Sequence, residues 1–386
     1  MLKKFTAAAL AMALALPLSA QANQKVKIGF INSITGPEAP IGENLSNGVT
    51  LALEDLKKKG IDVEMIKEDD TGKPQISMSA MEKLATRDKV IGVVGPYSSA
   101  CANAIAKVAE KYQVPLLVPV ASKDEITMQK LNWLFRLSAT TTDYADILIN
   151  MAMKLGKQHT MAIINENTDF GTSAAQAARK VAAQKGIKVV FQESYSKGSP
   201  DYRSTLTKIK ALKPDLVFMV SYVADAILLM RQSREIGLQP HAFLGAGAGF
   251  SVVQFAKEKA ISNNVFSSTQ WTPDVNWPGA KEFGRRYKAR FGKEPTYHAS
   301  TAYESMMIMG ESAAKAGGSR EKLREILKSG KWNGIMGQVQ FINYNGYYNQ
   351  NRHQMLVEQI QNGKHETVYP PQFTSKKPVY PFPRWK

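Results

Sequence analysis

The chain alternates short apolar strands with amphipathic helices, and this alternation constrains its fold more than any other feature. The first part of the chain has predicted strands at residues 25–31, 61–66, 90–94 and 114–118 and predicted helices at 43–59, 77–89 and 98–112. The later strands are almost entirely apolar, which is typical of parallel strands covered on both faces. The order therefore predicts an α/β fold built on a parallel sheet.

The same order of elements begins again near residue 142. This second series has predicted helices at 142–155, 171–185, 202–212 and 224–236 and predicted strands at 160–164, 187–191, 215–220 and 241–245. Because 386 residues exceed one ordinary domain of about 100–200 residues, the two series predict two lobes. Beyond residue 266 the pattern changes to three helical stretches and a hairpin-like pair of strands at 337–341 and 355–360.

The N-terminus has the pattern of a secretory signal peptide. Lys3 and Lys4 precede an apolar run at 7–16, and Ala20-Gln21-Ala22 supplies small residues around the cleavage point. The run is shorter than the roughly 20 residues that span a bilayer, and no cysteine follows it to carry a lipid. We expect residues 1–22 to be removed after Ala22 in the periplasm, without a membrane anchor.

Composition and motifs argue against several functions. The formal net charge is +17, but the basic residues are spread along an exported chain, so nucleic acid is not the expected partner. The single cysteine, Cys101, excludes an internal disulfide and is expected to be buried and inert. No HExxH, CxxC or GxSxG motif occurs, and the glycine-rich residues 245–249 lack the lysine of a P-loop. We predict no enzyme activity, no cofactor and no metal site, and we interpret Glu68-Asp69-Asp70 as a solvated strand end.

The most informative segment joins a strand to a helix at residues 94–99. Ser98 and Ser99 begin the predicted helix, and a helix N-terminus has free N–H groups and a partial positive charge that favour carboxylates. The next predicted strand leads to Ser122 at the same sheet edge, where parallel α/β sheets bind ligands. Either serine of the pair also suits the capping position, and the two roles are compatible.

Ordered motifs along nearly the whole mature chain carry a family resemblance. They are Ile28-Gly29-Phe30, Thr35-Gly36-Pro37, Glu68-Asp69-Asp70, residues 94–99, Val118-Pro119, Phe135-Arg136, Asp169-Phe170-Gly171, Lys213-Pro214-Asp215 and residues 234–238. The chain resembles the leucine/isoleucine/valine-binding proteins, a branch of the type I periplasmic binding proteins of ABC importers. The resemblance implies two Rossmann-like lobes joined by a three-crossing hinge, with the ligand in the cleft between them. Lobe 1 would contain residues 23–139 and 270–349, and lobe 2 residues 140–269 and 350–386.

The resemblance also implies roles for individual residues. Ser99 and Ser122 match hydroxyls that hold the ligand carboxylate, Val120 matches a backbone carbonyl, and Phe170 and Tyr222 match aromatic residues of the second lobe. Gly247 stands where the amino-acid binders of this family have an acid for the ligand's ammonium group. The expected ligand-binding set is Tyr97, Ser98, Ser99, Val120, Ala121, Ser122, Phe170, Tyr222, Gly247 and Trp271.

These features favour a monomeric importer-associated binding protein for a small carboxylate without an α-ammonium group, such as an aromatic acid of the benzoate or cinnamate type. Its partners would be this small molecule and, transiently, the ABC permease. A branched-chain amino acid is the alternative ligand, with Asp169 or Asp225 in place of the missing acid. A periplasmic ligand-sensor subunit is the alternative from another class. Restoring an acid by Gly247→Glu should then favour amino acids.

Overall fold

The computed structural model describes residues 24–385. The predicted signal peptide and its cleavage point therefore lie outside the described residues. Within the described part of the chain, no helix is both long enough and apolar enough to cross a membrane.

The strands are β1 (Gln24–Asn32), β2 (Ile61–Asp69), β3 (Gly92–Val94), β4 (Leu116–Val118), β5 (Leu134–Arg136), β6 (Thr160–Glu166), β7 (Lys188–Tyr195), β8 (Leu216–Val220), β9 (Ala242–Gly245), β10 (Phe266–Thr269), β11 (Trp332–Gly334), β12 (Gly337–Val339), β13 (Phe341–Tyr344), β14 (Tyr347–Asn351), β15 (Leu356–Gln361) and β16 (Lys364–Tyr369). The helices are α1 (Ala39–Lys58), α2 (Pro74–Thr86), α3 (Ser99–Tyr112), α4 (Glu125–Met128), α5 (Thr141–Leu155), α6 (Asp169–Gln184), α7 (Arg203–Leu212), α8 (Val223–Glu235), α9 (Val253–Lys257), α10 (Lys259–Ser262), α11 (Ala280–Phe291), α12 (Tyr297–Ala316) and α13 (Arg320–Ser329).

Two seven-stranded sheets form two lobes, which confirms the predicted fold class. The first sheet has the order β13-β14-β5-β4-β3-β1-β2, and the second has the order β16-β15-β10-β9-β8-β6-β7. Strands β1 to β5 pair in parallel, as do β6 to β10. Parallel neighbours require crossover connections, usually helical, and these explain why the central strands are buried and apolar.

The predicted hairpin of residues 337–341 and 355–360 is wrong. β12 pairs with β11, whereas β15 pairs with β10 and β16 in the other sheet. The turn-rich residues between them hold two further strands, β13 and β14, which pair with each other around Asn345 and Gly346. The chain then changes lobe before β15, so two strands that are near in sequence lie in different lobes.

The acidic run at the end of β2 is also not a solvated strand end. Asp70 is fully buried and accepts hydrogen bonds from the hydroxyls of Ser33 and Ser77. Asp69 accepts from the backbone N–H groups of Ile34 and Thr35. The loop after β1 needs acceptors for these groups, because unpaired buried N–H groups are costly. Both carboxylates therefore hold a loop in place.

Three crossings connect the lobes, at residues 137–140, 270–279 and 352–355. Buried amide side chains tie them together. Gln270 Oε1 accepts from the Ala139 N–H at 2.8 Å, and Gln350 Nε2 donates to the Ser138 carbonyl at 2.7 Å. β14 stays in the first sheet to Asn351, two residues beyond the predicted lobe boundary at 349. These amide side chains form hydrogen bonds with extended backbone that lies outside the two sheets, and they connect the crossings into one hinge.

Candidate functional site

A narrow cavity of only about 10 Å³ lies between the carboxyl ends of the two sheets. Both lobes line it, with Tyr97, Ser99, Val120, Ala121, Ser122 and Tyr297 from the first lobe and Phe170, Tyr222 and Ala248 from the second. Seven of these nine residues belong to the set expected from the sequence. Their contact with a ligand stays a prediction, but the fold brings them to one place.

Ser98 and Ser99 have different roles at the start of α3. Ser98 is the capping residue, and its hydroxyl accepts from the Cys101 N–H at 3.4 Å. Ser99 lines the cavity, and its hydroxyl oxygen accepts from the Lys123 N–H at 3.3 Å. The Ser99 hydroxyl can therefore still donate its hydrogen to a ligand. Cys101 follows in the same helix, and burial raises the pKa of its thiol to about 12, as expected of an inert residue.

The loop after β4 presents Ser122 to the same space. The Ser122 hydroxyl donates to the Val120 carbonyl at 3.2 Å, and its carbonyl accepts from the Thr141 N–H at 2.8 Å. The Ser138 hydroxyl holds the Ala121 carbonyl at 3.1 Å. The backbone of the loop is thus fixed, while the Ser122 hydroxyl can rotate toward a ligand acceptor.

Aromatic rings from both lobes meet across the cavity. The ring centroids of Tyr97 and Tyr222 are 5.8 Å apart, and those of Phe170 and Tyr222 are 5.9 Å apart. The Tyr297 hydroxyl accepts from the Ala248 N–H at 3.2 Å and lies 3.5 Å from the Tyr144 hydroxyl. Burial holds the pKa of the Tyr97, Tyr222 and Tyr297 phenols well above the usual value. These groups are therefore neutral donors, and the Tyr97 hydroxyl has no hydrogen-bond partner within residues 24–385.

Among the residues that the structure describes, no acidic side chain lines this cavity. Asp169, which could have replaced the missing acid, accepts from Lys123 Nζ at 2.8 Å across the cleft. Asp225 accepts from the Tyr202 hydroxyl at 2.9 Å and from the Gly198 N–H at 3.0 Å. Both candidates are thus engaged in contacts outside the cavity lining.

Ion pairs between the lobes close the cleft on either side of the cavity. Besides the Lys123–Asp169 pair, Lys197 Nζ of the second lobe donates to Glu38 Oε1 of the first at 2.8 Å. The same ammonium lies 4.4 Å from the centre of the Tyr222 ring, a cation–π distance. The structure is therefore a closed form, and a ligand can enter only when these contacts separate.

Glu166 is a buried acid directly behind the cavity wall. Its Oε2 accepts from the Tyr222 N–H at 3.0 Å, and its Oε1 accepts from the Thr168 hydroxyl at 2.8 Å. Burial raises the pKa of this carboxyl to about 7. Glu166 therefore positions Tyr222 and does not itself line the cavity.

Replacing Glu166 with glutamine should flatten the dependence of stability on pH. A carboxyl whose pKa rises from 4.5 to about 7 on folding stabilises the protein below pH 4.5 and loses that contribution as the pH rises through 7. We expect the free energy of unfolding of the variant to fall by about 2 kcal/mol less than that of the parent between pH 4.5 and 8. Urea unfolding at several pH values measures this difference.

Glu304 provides the control, because burial also raises the pKa of its carboxyl to about 7. It lies on α12, away from Tyr222, and accepts a hydrogen bond from the Ile335 N–H. Glu304→Gln should flatten the same pH range without altering ligand binding, whereas Glu166→Gln should alter both. Parallel pH profiles for the parent and the Glu166 variant would show that the carboxyl titrates normally.

Three residues of the expected set do not line the cavity. Ser98 caps α3, as described above. Gly247 has φ +59° and ψ −137°, and a Cβ there would lie 3.1 Å from Tyr144 Cε2 and 3.3 Å from the Ser268 carbonyl oxygen. Trp271 is buried against Phe283 and lines a separate cavity near the second crossing. Position 247 thus faces tightly packed atoms, although its neighbour Ala248 reaches the ligand space.

Sequence reasoning did not find Ala248 and Tyr297. Ala248 follows Gly247 in the glycine-rich residues 245–249, and an alanine carries no polar group that would mark a binding position. Tyr297 begins α12, far along the chain from the other lining residues of its lobe, and no motif marks it. Packing of α12 on α1 and β1 brings it to the cleft, and only the tertiary structure shows this.

The chain is similar in sequence to known proteins. Residues 25–364 match the family model described as periplasmic binding protein. Leu/Ile/Val-binding protein homolog 8 of Brucella abortus is 30% identical over 385 residues, covering 94% of this chain and 95% of the relative. Leu/Ile/Val-binding protein homolog 7 of Brucella suis is 29% identical over 389 residues, covering 94% and 96%.

Solved structures share the two-lobed fold. The branched-chain amino acid transporter substrate-binding protein LivJ of Streptococcus pneumoniae, in complex with isoleucine, superposes with a TM-score of 0.79 at 24% identity, covering 90% of this chain and all of LivJ. A solute-binding protein of an ABC transporter from R. palustris, in complex with benzoate, gives 0.81 at 19% identity, covering 89% of this chain and 95% of that one.

Proposed function

This chain belongs to the periplasmic binding protein family, and on that premise we propose that its cleft binds a small carboxylate without an α-ammonium group, an aromatic acid of the benzoate or cinnamate type. As a member of the family it is a periplasmic solute-binding protein of an ABC transporter, which binds a small molecule and interacts with the permease. The proposal includes export with cleavage after Ala22 and action as a monomer.

One observation carries the choice of ligand, namely that the cavity combines hydroxyl groups with no acid. Ser99 and Ser122 can donate to a carboxylate at the N-terminus of α3, where the helix dipole also favours an anion. An α-ammonium group would have no carboxylate among the lining residues. Burying a charge without a partner costs several kcal/mol, so a zwitterion is disfavoured.

The aromatic walls support a planar apolar body for the ligand. Tyr97 and Tyr222 lie on opposite lobes and contact each other in the closed form, with ring centroids 5.8 Å apart. When the lobes separate, each ring is free to pack against an aromatic ligand. Neighbours of the same fold hold either isoleucine or benzoate. Since the shared fold fits both kinds of ligand, the preference for an aromatic acid rests on the residues that line this cleft.

A branched-chain amino acid is the second candidate. It is favoured by the relatives of 29% and 30% identity, whose names describe Leu/Ile/Val-binding protein homologues. For this ligand a buried acid would have to reach the cleft. Glu166 lies in the second lobe behind Tyr222, and a movement of Tyr222 would expose its carboxylate.

A thermal-shift and calorimetric screen should separate the two candidates. A ligand at a hundredfold excess over its Kd adds about 2.7 kcal/mol of stability, so a true ligand gives a clear rise in Tm. We expect benzoate or cinnamate to raise Tm and leucine, isoleucine and valine to leave it unchanged. Benzylamine and benzamide serve as matched controls, because they keep the ring but lack the carboxylate: benzylamine should not bind, and benzamide should bind more weakly than benzoate. A rise with leucine and none with the aromatic acids would overturn the proposal.

A further inference from the structure

Arg136, the last residue of β5, is a fully buried arginine without an acidic partner. In residues 24–385 no carboxylate oxygen forms an ion pair with it, and its side chain is 0% exposed. Nε donates to Gln350 Oε1 at 2.5 Å, and Nη2 donates to the Thr127 hydroxyl at 2.8 Å. Burial lowers its pKa, yet a guanidinium stays charged in proteins. A positive charge is therefore buried against neutral oxygens.

The remaining hydrogen bonds of Arg136 go to the loop that carries Ser122. Nη1 donates to the carbonyl oxygens of Lys123 at 2.5 Å and of Ala121 at 3.4 Å. These are the two residues that flank Ser122. The guanidinium thus holds the loop from behind while the Ser122 hydroxyl faces the cleft, which places the charge close to the expected carboxylate.

Two carboxylates act on the charge of Arg136 without forming an ion pair with it in residues 24–385. Asp124 acts most strongly and accepts hydrogen bonds from the hydroxyls of Thr141 and Thr142. Asp143 is held in the capping box of α5 with Thr140. Lys123 is paired with Asp169, and no lysine or arginine of the described residues lines the cavity itself.

We propose that Arg136 supplies the positive charge that stabilises the ligand's carboxylate, acting through the loop at Ser122 as a positioning residue. The inference rests on the proposed carboxylate ligand. Hydroxyls and helix N–H groups orient an anion but carry no net charge, whereas the guanidinium that is buried behind this loop does. The Gln350 side chain joins this guanidinium to the first crossing through the Ser138 carbonyl, so the same network fixes the loop against the hinge.

The test compares a charged ligand with its neutral analogue in the full-length mature protein. Calorimetry gives Kd for benzoate and for benzamide. Arg136→Met should weaken benzoate binding by at least about tenfold and leave benzamide binding unchanged, so the benzoate-to-benzamide affinity ratio falls. Arg136→Lys, which keeps the charge, should restore part of that ratio. A purely structural residue would change both constants together.

A second pair of variants keeps the test valid if Arg136→Met does not fold. Gln350→Glu places a carboxylate against the guanidinium and should lower the benzoate-to-benzamide ratio. Gln350→Met removes the same hydrogen bonds without adding charge and should not. An unchanged ratio in the folded variants would overturn the role of Arg136. Absence of benzoate binding to the parent would instead overturn the proposed function, and leucine against leucinol would then test the charge in the same way.

Discussion

Replacing Ser99 and Ser122 together with alanine is expected to lower the affinity for a carboxylate ligand by about a hundredfold or more. Hydrogen bonds to charged groups contribute about 1.5–3 kcal/mol each, and 1.4 kcal/mol corresponds to a tenfold change in Kd. Both hydroxyls line the cavity and are buried, so water cannot replace them when the lobes close. Calorimetric titration of the double variant and of each single variant measures the loss.

Ser98→Ala is the matched control, because Ser98 precedes Ser99 but caps α3 and does not line the cavity. Loss of a capping side chain costs about 1 kcal/mol of stability. We expect Ser98→Ala to lower the free energy of unfolding by about that amount with affinity unchanged. Ser99→Ala should show the reverse. Equal losses of affinity in the two variants, or full affinity in the double variant, would contradict the assignment.

Replacing Gly247 with glutamate is expected to destabilise the protein by about 3 kcal/mol. The backbone at φ +59° and ψ −137° lies in a region that side chains other than glycine adopt only with strain, at about 1–3 kcal/mol. The new Cβ would also press on Tyr144 and the Ser268 carbonyl, and overpacking adds about 1–3 kcal/mol. The same Cβ would lie 3.4 Å from the hydroxyl of Tyr297, which lines the cavity.

Two alanine variants separate these causes. Gly247→Ala keeps the backbone strain and most of the Cβ contact without the longer side chain. Gly186→Ala also has a positive φ, +73°, but no atom within 4 Å of the added Cβ, so it should cost only about 1 kcal/mol. Urea unfolding ranks the three variants, and titration with leucine checks the site. A stable Gly247→Glu protein that gains leucine binding would support the sequence-based placement of position 247.

The positions of Ser99 and Ser122 were predictable because they follow from short segments of the sequence. A strand end, a serine cap and a helix N-terminus are adjacent in sequence at residues 94–99, and the next strand brings Ser122 to the same edge by parallel pairing. Phe170 and Tyr222 follow strand ends of the second lobe in the same way. Gly247 also follows a strand, but the chain turns there into a short 3-10 helix, and a shift of one residue decides which side chain enters the cavity.

The two-lobed parallel α/β architecture was predictable from the sequence, because periodicity and apolar runs are properties of contiguous segments. The same patterns indicate which strand ends can carry hydroxyl and aromatic groups. Four features became visible only in the folded molecule: Tyr297 reaches the cleft, Trp271 does not line it, Asp169 pairs with Lys123, and Arg136 lies behind Ser122. Each of these depends on how distant segments pack across the hinge, and contacts between segments far apart in the chain leave no periodic pattern in either one.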